Sequence, residues 1–166
     1  MAISATTAIC DSFKKEILMG THLFKAAGGN TFKMALLKAT ASGSGTYDKS
    51  FTNYGSGSGT PTTSNIGTDE AADTSGNAQY TAGGFTMTPN ADPSTGTDVA
   101  WVDWTTDPNW GPAATITSYG AVLYNSTASG AAVACFAFGA DKTCTTGTFT
   151  VTLPAPAYNT ALLRIA

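Results

Sequence analysis

Charged side chains are scarce in this sequence, and that scarcity limits what the chain can fold into. They make up 11% of its 166 residues, against roughly 25% in an average globular protein. A fold of long surface helices is disfavoured, because such helices need glutamate and lysine on their solvent-facing side. Glycine accounts for 18 residues, and threonine and serine fill many other positions. This composition favours β-strands with outward-facing threonine, joined by glycine and serine turns, in a chain of one domain or one domain with an arm.

The charge balance and the hydropathy each argue against one class of partner. The formal net charge is −3 and the isoelectric point is about 4.8, whereas proteins that bind nucleic acid through overall charge are basic. The sequence contains no run of 18 apolar residues, which a membrane-spanning helix requires. We therefore expect neither nucleic acid nor a membrane among the partners.

The N-terminal segment has the pattern of one amphipathic helix, because its apolar positions recur at spacings of three and four residues. These positions are Ile9, Phe13, Ile17, Gly20 and Phe24. Thr6 or Thr7 is suited to cap the start of the helix, and residues 28–30 are suited to end it. We interpret residues 1–30 as a helix and arm that either covers the chain's own sheet or reaches a neighbouring subunit.

The rest of the chain indicates a β-domain over residues 31–166. Residues 32–36 alternate in the manner of a first strand, and six further strand-like runs follow the long segment after it. The six runs are 80–88, 98–104, 116–124, 131–138, 148–153 and 161–165. Residues 139–142 have the composition of a turn between two of them. Seven or eight strands at this spacing predict an antiparallel β-sandwich, jelly-roll-like or immunoglobulin-like, or a barrel.

Residues 39–79 form a long Gly/Ser-rich insertion in that domain. They show no periodicity over about 40 residues, which is far longer than an ordinary connection. Tyr47, Phe51 and Tyr54 are suited to attach part of it to the body. We expect an extended loop that becomes ordered where Phe51, Tyr54 or Ile66 contacts a partner, since ordering such a loop costs about 1 kcal/mol or more per residue.

Residues capable of catalysis are few. We expect the single histidine, His22, to be a polar surface or interface residue instead of a base. Acidic residues are available for two further chemistries, a carboxylate pair for glycoside hydrolysis and a calcium loop. The former would draw on Asp98, Asp103, Asp107 and Asp141, and the latter on Asp69, Glu70 and Asp73. We favour structural roles for the aspartates and a solvated acidic loop at 69–73, with no catalytic residue, no metal and no cofactor.

The three cysteines are too few and too scattered for a disulfide framework. A bridge between Cys135 and Cys144 across a hairpin is one alternative. The favoured alternative is three buried or half-buried thiols, with Cys10 as the third, in a chain made in a reducing cytoplasm.

The three tryptophans offer a binding alternative. Trp101, Trp104 and Trp110 can stack on sugar rings if they are exposed. Because side chains alternate between the two faces of a strand, Trp101 and Asp103 share one face and Val102 and Trp104 the other. At least one of these rings is therefore expected in the core.

Several segments resemble small virion proteins of tailed bacteriophages. In the C-terminal half, these segments are YTAGG at 80–84, ITSYGAVLYNS at 116–126, FGADKT at 138–143, GTFTV at 147–151 and RIA at 164–166. In the N-terminal part of the chain, they are ICDSFKKEIL at 9–18 and FKMAL at 32–36. The resemblance covers residues 6–38 and 80–166. It implies a structural component of the virion, with a head decoration (cement) protein as the first choice.

Such proteins commonly are β-sandwiches that sit as homotrimers on the outer surface of the head, over junctions between capsomers. The resemblance thus implies the major capsid protein and further copies of this chain as partners, and no enzymatic activity. On this hypothesis the apolar side chains of the helix and the long loop contact neighbouring subunits: Phe13, Ile17, Phe24, Phe51, Tyr54 and Ile66. Removing residues 41–66 is then expected to leave a folded protein. The alternative is a tail-fibre or tail-tip protein that binds host glycan through the tryptophans.

Overall fold

The computed structural model of the chain describes residues 2–89, 91–104 and 106–166; Met1 of the expected arm lies outside them. The fold is mainly β, as the composition predicts. Within the described residues there are one α-helix, α1 (Asp11–Leu18), and ten strands. The strands are β1 (Ser4–Ala5), β2 (Ala8–Ile9), β3 (Phe32–Leu37), β4 (Thr46–Tyr47), β5 (Phe85–Met87), β6 (Ser94–Gly96), β7 (Val99–Val102), β8 (Asn109–Asn125), β9 (Ala131–Thr150) and β10 (Leu163–Ile165). No described helix has the length and apolar character needed to cross a membrane.

The long hairpin of β8 and β9 is the centre of the molecule. It lies within a five-stranded sheet of order β2-β9-β8-β3-β5, in which every pairing is antiparallel. A three-stranded antiparallel sheet has the order β10-β7-β6, and the short strands β1 and β4 pair in parallel. The expectation of antiparallel sheets is therefore confirmed for the two larger sheets.

Helix α1 is shorter than its sequence pattern predicts. Cys10 occupies the N-cap position without a side-chain cap, so the expected caps at Thr6 or Thr7 are wrong. The hydroxyl of Thr7 instead accepts a hydrogen bond from the backbone N–H of Ala137 in β9. The helix ends at Leu18 because Gly20 adopts a left-handed conformation, with φ of +71°, well before residues 28–30.

Strand β9 runs through the turn expected at residues 139–142. Ser118 pairs with Lys142 and Gly120 pairs with Ala137, so a single β8 residue lies opposite the four β9 residues 138–141. Gly139 has φ of +77° within this bulge. The turn-like composition of residues 139–142 therefore encodes a β-bulge inside one strand, and β9 contains the whole run expected at 131–138 and the first half of the run expected at 148–153.

Other strand predictions also differ from the structure, and the run expected at 116–124 is part of the longer β8. The run expected at 80–88 forms a strand only over Phe85–Met87, and β6 has no counterpart among the expected runs. Gly84, with φ of +77°, directly precedes β5 and explains why this strand starts later than predicted. A Cβ at this position would lie 2.0 Å from the carbonyl oxygen of Met34, so only glycine can approach β3 so closely.

The arm and the β-domain share one hydrophobic core. Ile3, Cys10 and Phe13 from the arm are buried in the same cluster as the side chains of β3, β8 and β9. Phe24 stacks on Phe32 with a ring-centroid distance of 4.4 Å and an interplanar angle of 6°. The helix thus covers the chain's own sheet, which is the first of the two alternatives for an amphipathic helix in this sequence.

Residues 39–79 are held by the chain itself. Tyr47, Phe51 and Ile66 have no exposed surface. Backbone hydrogen bonds attach the segment to the body, from Ala71 N–H to the Leu36 carbonyl and from Tyr54 N–H to the Gly130 carbonyl, both 2.8 Å long. The expectation that this loop becomes ordered only on a partner is wrong, because its aromatic residues complete the core.

All three cysteines are free thiols. Cys135 and Cys144 lie on the same strand, opposite Val122 and Ile116 of β8. Six residues of β8 span roughly 20 Å, far more than the Cα separation of about 4.4–6.8 Å that a disulfide requires. The Cys135–Cys144 bridge is therefore excluded in this fold.

Candidate assembly surface

The single histidine, His22, is buried in the interior of the protein. The side chain of His22 has no exposed surface, and its ring lies 4.9 Å from that of Phe13. Its Nε2 lies 2.9 Å from Oε2 of Glu16, and its Nδ1 lies 3.1 Å from Nδ2 of Asn125. The oxygen of the Asn125 amide accepts the N–H of Ala128, so Nδ2 donates to Nδ1 and Nε2–H donates to Glu16. The expectation of a surface or interface histidine is wrong, because His22 ties the arm to the end of β8.

Two acids expected in a solvated loop are buried hydrogen-bond acceptors. The carboxylate of Asp69, 1% exposed, accepts the N–H groups of Ser44 and Gly45 and the hydroxyl of Tyr47. Burial, together with this carboxylate, raises the pKa of Tyr47 well above its usual range. No group of three acidic, histidine or cysteine side chains suited to a metal occurs among the described residues. The hydrogen bonds of Asp69 therefore hold residues 44–47 against residue 69 within the long segment.

The neighbouring carboxylate of Glu70 accepts hydrogen bonds from a second set of donors. It accepts the hydroxyl of Tyr54 at 2.6 Å, the hydroxyl of Tyr80 at 2.9 Å and the N–H of Gly83 at 2.6 Å. Tyr54 also stacks on Tyr124, with ring centroids 4.3 Å apart. Burial and the adjacent carboxylate raise the pKa of both Tyr54 and Tyr80. Glu70 thus joins the long segment, the approach to β5 and the central hairpin.

The carboxylate of Asp73 is a third acceptor of several hydrogen bonds, and it lies beside β8. Its oxygens accept the N–H groups of Thr115, Ser75 and Gln79 at 2.8 to 2.9 Å. These bonds, that of Thr115 first, hold the pKa of Asp73 well below its usual value of 3.8. Because the folded-state pKa is lowered, the stabilisation is present above pH 3.8 and is lost as the pH falls through the lower folded-state value.

We expect an NMR titration of the Asp73 side-chain carboxyl carbon to give a midpoint clearly below 3.8. The physical reason is that protonation breaks hydrogen bonds that the carboxylate accepts. A midpoint at 3.8 would contradict the hydrogen bonds that the Asp73 carboxylate accepts.

Three of the four aspartates considered for glycoside hydrolysis also have structural contacts. Asp103 is buried, which raises its pKa, and it accepts the N–H groups of Trp104 and Leu162. Asp107 accepts the N–H of Leu153. In the bulge of β9, Asp141 accepts both the N–H and the hydroxyl of Thr40, and Asp98 is exposed in the β6–β7 turn. These contacts give three of the four aspartates a role in holding loops, as the structural interpretation predicts.

Two of the three tryptophans are buried. Trp104 is 1% exposed and Trp110 is 4% exposed. Trp104 packs edge-on against Phe32, and Trp110 stacks on Tyr80 at 5.5 Å. Only Trp101 is half-buried. The prediction that at least one ring lies in the core is confirmed, and the proposed glycan contact through Trp104 and Trp110 is wrong, since a sugar cannot reach a buried ring.

Five of the six residues expected to contact neighbouring subunits are in the chain's own core: Phe13, Phe24, Phe51, Tyr54 and Ile66. A side chain enclosed by its own chain has no surface to offer another subunit, so this assignment is wrong for the five. The sixth, Ile17, is half-buried and faces a surface groove between α1 and the three-stranded sheet.

The outer edge of β9 has a long stretch that is not paired with another strand among the described residues. β2 covers it only at Ala134 and Cys135. From residue 138 to residue 150, no backbone hydrogen bond joins that edge to another described segment. Its exposed side chains are mostly threonine, and Asp141 and Lys142 are the only charged residues in the strand. Long edge strands with so little charge are what soluble proteins ordinarily shield.

An open groove of about 510 Å³ lies along the same part of β9. The apolar side chains of Phe138, Phe149 and Val151 line it together with Thr143 and Thr148. A free strand edge beside an apolar groove suits an extended segment of another protein, because backbone hydrogen bonds and side-chain pockets then act together. Sequence patterns did not single out this surface, because they do not show which strand of a sheet lies at its edge.

Comparisons with known proteins gave no match of the sequence to a family model or to a curated protein, and no match of the fold to a solved structure.

Proposed function

We propose that this chain is a structural protein of a tailed-phage virion, and specifically a decoration (cement) protein on the outer surface of the head. In this role it binds the major capsid protein at junctions between capsomers and stabilises the head. The free edge of β9 with its apolar groove carries the proposal, because a surface of this kind is suited to lasting cover by another protein.

The distribution of charge supports the same role. Lys142 is the one charged residue that lines the groove among the described residues, and between residues 143 and 150 the edge has no charged side chain. Burying it against a capsid therefore removes few charges from water, a step that would cost several kcal/mol per unpaired ion. The buried positions of His22, Asp69 and Glu70 favour a structural role over a catalytic one.

The finer architecture is part of this proposal. A jelly-roll-like β-sandwich is supported by the shared core, to which the five-stranded sheet contributes Phe32 and the three-stranded sheet contributes Val102 and Leu163. A homotrimer would multiply weak capsid contacts, because its linked binding sites act together.

Lysine substitutions on the edge test the proposal. We expect Thr145→Lys and Thr150→Lys, combined in one variant, to fold normally, because both side chains are exposed. Binding to purified expanded heads, measured by co-sedimentation, should weaken by about tenfold or more, since the contact would have to bury two unpaired charges. Protection of the heads against heat should be lost in parallel.

Thr60→Lys combined with Thr63→Lys is the matched control, because both threonines are exposed in the long segment and the double change adds the same two charges. It should bind as the unmodified chain does. Copy number provides an independent measurement: hundreds of copies per virion support a head protein, whereas a handful would place the chain in the tail. Undiminished binding of the edge variant would overturn the assignment of the β9 edge.

A further inference from the structure

Two of the three thiols lie next to each other in the core, although most of the chain separates them in sequence. Cys10 and Cys135 both have no exposed surface. Ala8 of β2 lies opposite Cys135 of β9. The backbone N–H of Cys10 donates to the carbonyl of Val133 at 3.0 Å, so the pairing continues to Cys10. Because every second side chain of a strand points to the same face, the two thiols are diagonal neighbours on the buried face of the sheet.

The two thiols are in contact. They hydrogen-bond to each other, and this bond, followed by burial, raises the pKa of Cys135 well above its usual range. The Sγ of Cys135 also donates to the backbone carbonyl of Asp48 at 3.5 Å, so the long segment covers the pair. Cys144 instead donates to the carbonyl of Ala114 in β8. Of the three cysteines, all within the described residues, the fold therefore brings together only Cys10 and Cys135.

We propose that Cys10 and Cys135 form a disulfide when the folded protein meets an oxidant, and that this bridge fastens the N-terminal arm to β9. The oxidant is a small-molecule disulfide of the glutathione class. One protein thiol, as its thiolate, attacks this disulfide and releases one small thiol, which takes up the proton. The second protein thiol then attacks the mixed disulfide and releases the other small thiol in the same way. The protein loses two hydrogen atoms and two electrons, and one small disulfide is reduced to two thiols.

The bridge requires only a small movement of the backbone. Diagonal positions on antiparallel strands have Cα atoms about 7–8 Å apart, with the Cβ atoms closer, and a disulfide needs Cα atoms about 4.4–6.8 Å apart. The strand β2 has two residues, and Cys10 follows it directly at the point where the chain turns into α1. A strand so short can move by about 1 Å without disturbing the central hairpin, so the contact between the thiols can become a bond.

The oxidant reaches the pair when the arm opens locally. The strand β2 pairs with β9 at two positions, and a segment near the terminus with so few pairings opens at a lower free energy than the central hairpin. Thiols stay reduced in a cytoplasm, whereas disulfides form and persist outside the cell. The chain can thus fold with free thiols and be fastened afterwards. The bridge would close a loop that contains most of the chain, and long loops give the largest restriction of the unfolded state.

This inference goes beyond the proposed function, since it uses neither a capsid nor the free part of the β9 edge. Its failure would leave the capsid assignment untouched, and the reverse also holds.

A peptide map of the oxidised protein tests the pairing. Trypsin cleaves after lysine and arginine, so it places the three cysteines in three different peptides, which are 1–14, 50–142 and 143–164. The folded chain is incubated with oxidised glutathione, its remaining thiols are alkylated, and the digest is analysed by mass spectrometry without reduction. We expect peptides 1–14 and 50–142 to be joined in most molecules, with Cys144 outside the bridge.

The same oxidation in urea that unfolds the chain is the control for the fold. There the favoured intramolecular bridge should join Cys135 to Cys144, because these two are closest in sequence and short loops close most readily. A different bridge under native conditions therefore reports the folded arrangement.

A Cys144→Ser variant measures what the bridge does, because it retains only the proposed pair. Its oxidised form should unfold at a urea concentration about 1 M or more above that of its reduced form. A Cys10→Ser variant treated in the same way should show no such shift. Thiols of Cys10 and Cys135 that stay free or carry only glutathione after native oxidation would overturn the inference. So would a native bridge to Cys144, or a bridged form no more stable than the reduced one.

Discussion

Replacing Phe51 with alanine is expected to lower the free energy of unfolding by about 3–5 kcal/mol, the usual range for a fully buried phenylalanine. Phe51 has no exposed surface and lies 5.2 Å from the ring of Tyr47, in the middle of the Gly/Ser-rich segment. Its removal would leave a cavity between that segment and the central hairpin. Chemical denaturation of the purified protein measures the effect directly.

Thr60→Ala is the control for this prediction, because Thr60 is exposed in the same segment. Its effect should stay within about 0.5 kcal/mol. Equal and small effects of both substitutions would mean that the segment is not part of the core. The burial of Tyr47, Phe51 and Ile66 also reverses the expectation for removal of residues 41–66, which should now yield an unfolded chain.

Replacing Glu70 with alanine is expected to destabilise the protein by about 3 kcal/mol or more, because three buried hydrogen-bond donors lose their acceptor. The substitution leaves the hydroxyls of Tyr54 and Tyr80 and the N–H of Gly83 without their acceptor. Each buried donor left unpaired costs about 1–3 kcal/mol. Denaturant unfolding with fluorescence detection provides the measurement.

A second variant distinguishes the network from the loss of a charge. Asp11→Ala removes an exposed carboxylate that forms a surface ion pair with Lys14, and it should change stability far less. Tyr54→Phe combined with Glu70→Ala should cost less than the sum of the two single changes, because both remove the same hydrogen bond. Strict additivity of the two would contradict the network.

The sequence predicts the class of fold and part of its detail. Scarce charge and abundant threonine predict a β protein, and the alternation at 32–36 locates β3 almost to the residue. These features are local, so composition and periodicity capture them. The short strands β1 and β2 are beyond such reasoning, because two residues carry no period and their partners lie far away in the chain.

The surfaces were less predictable than the fold. Gly139 and its neighbours have the composition of a turn, yet tertiary pairing extends β9 through them as a bulge. Phe51 and Ile66 stand in a polar, aperiodic segment, where an apolar residue suits a partner contact as well as a core position. Only the topology shows that they are enclosed and that the edge of β9 is free.

Because β8 and β9 are central to the fold and late in the sequence, the chain can complete its fold only late in its synthesis. The ribosome releases β2, α1 and β3 long before the strands on which they pack. Contacts between segments so distant in sequence form slowly, since a long loop must close first. Phe13 and Phe32 therefore stay exposed during much of translation, and folding is completed only once β10 has emerged, since Leu163 belongs to the core. In the cell, the nascent chain is thus a natural client for chaperones that shield apolar segments.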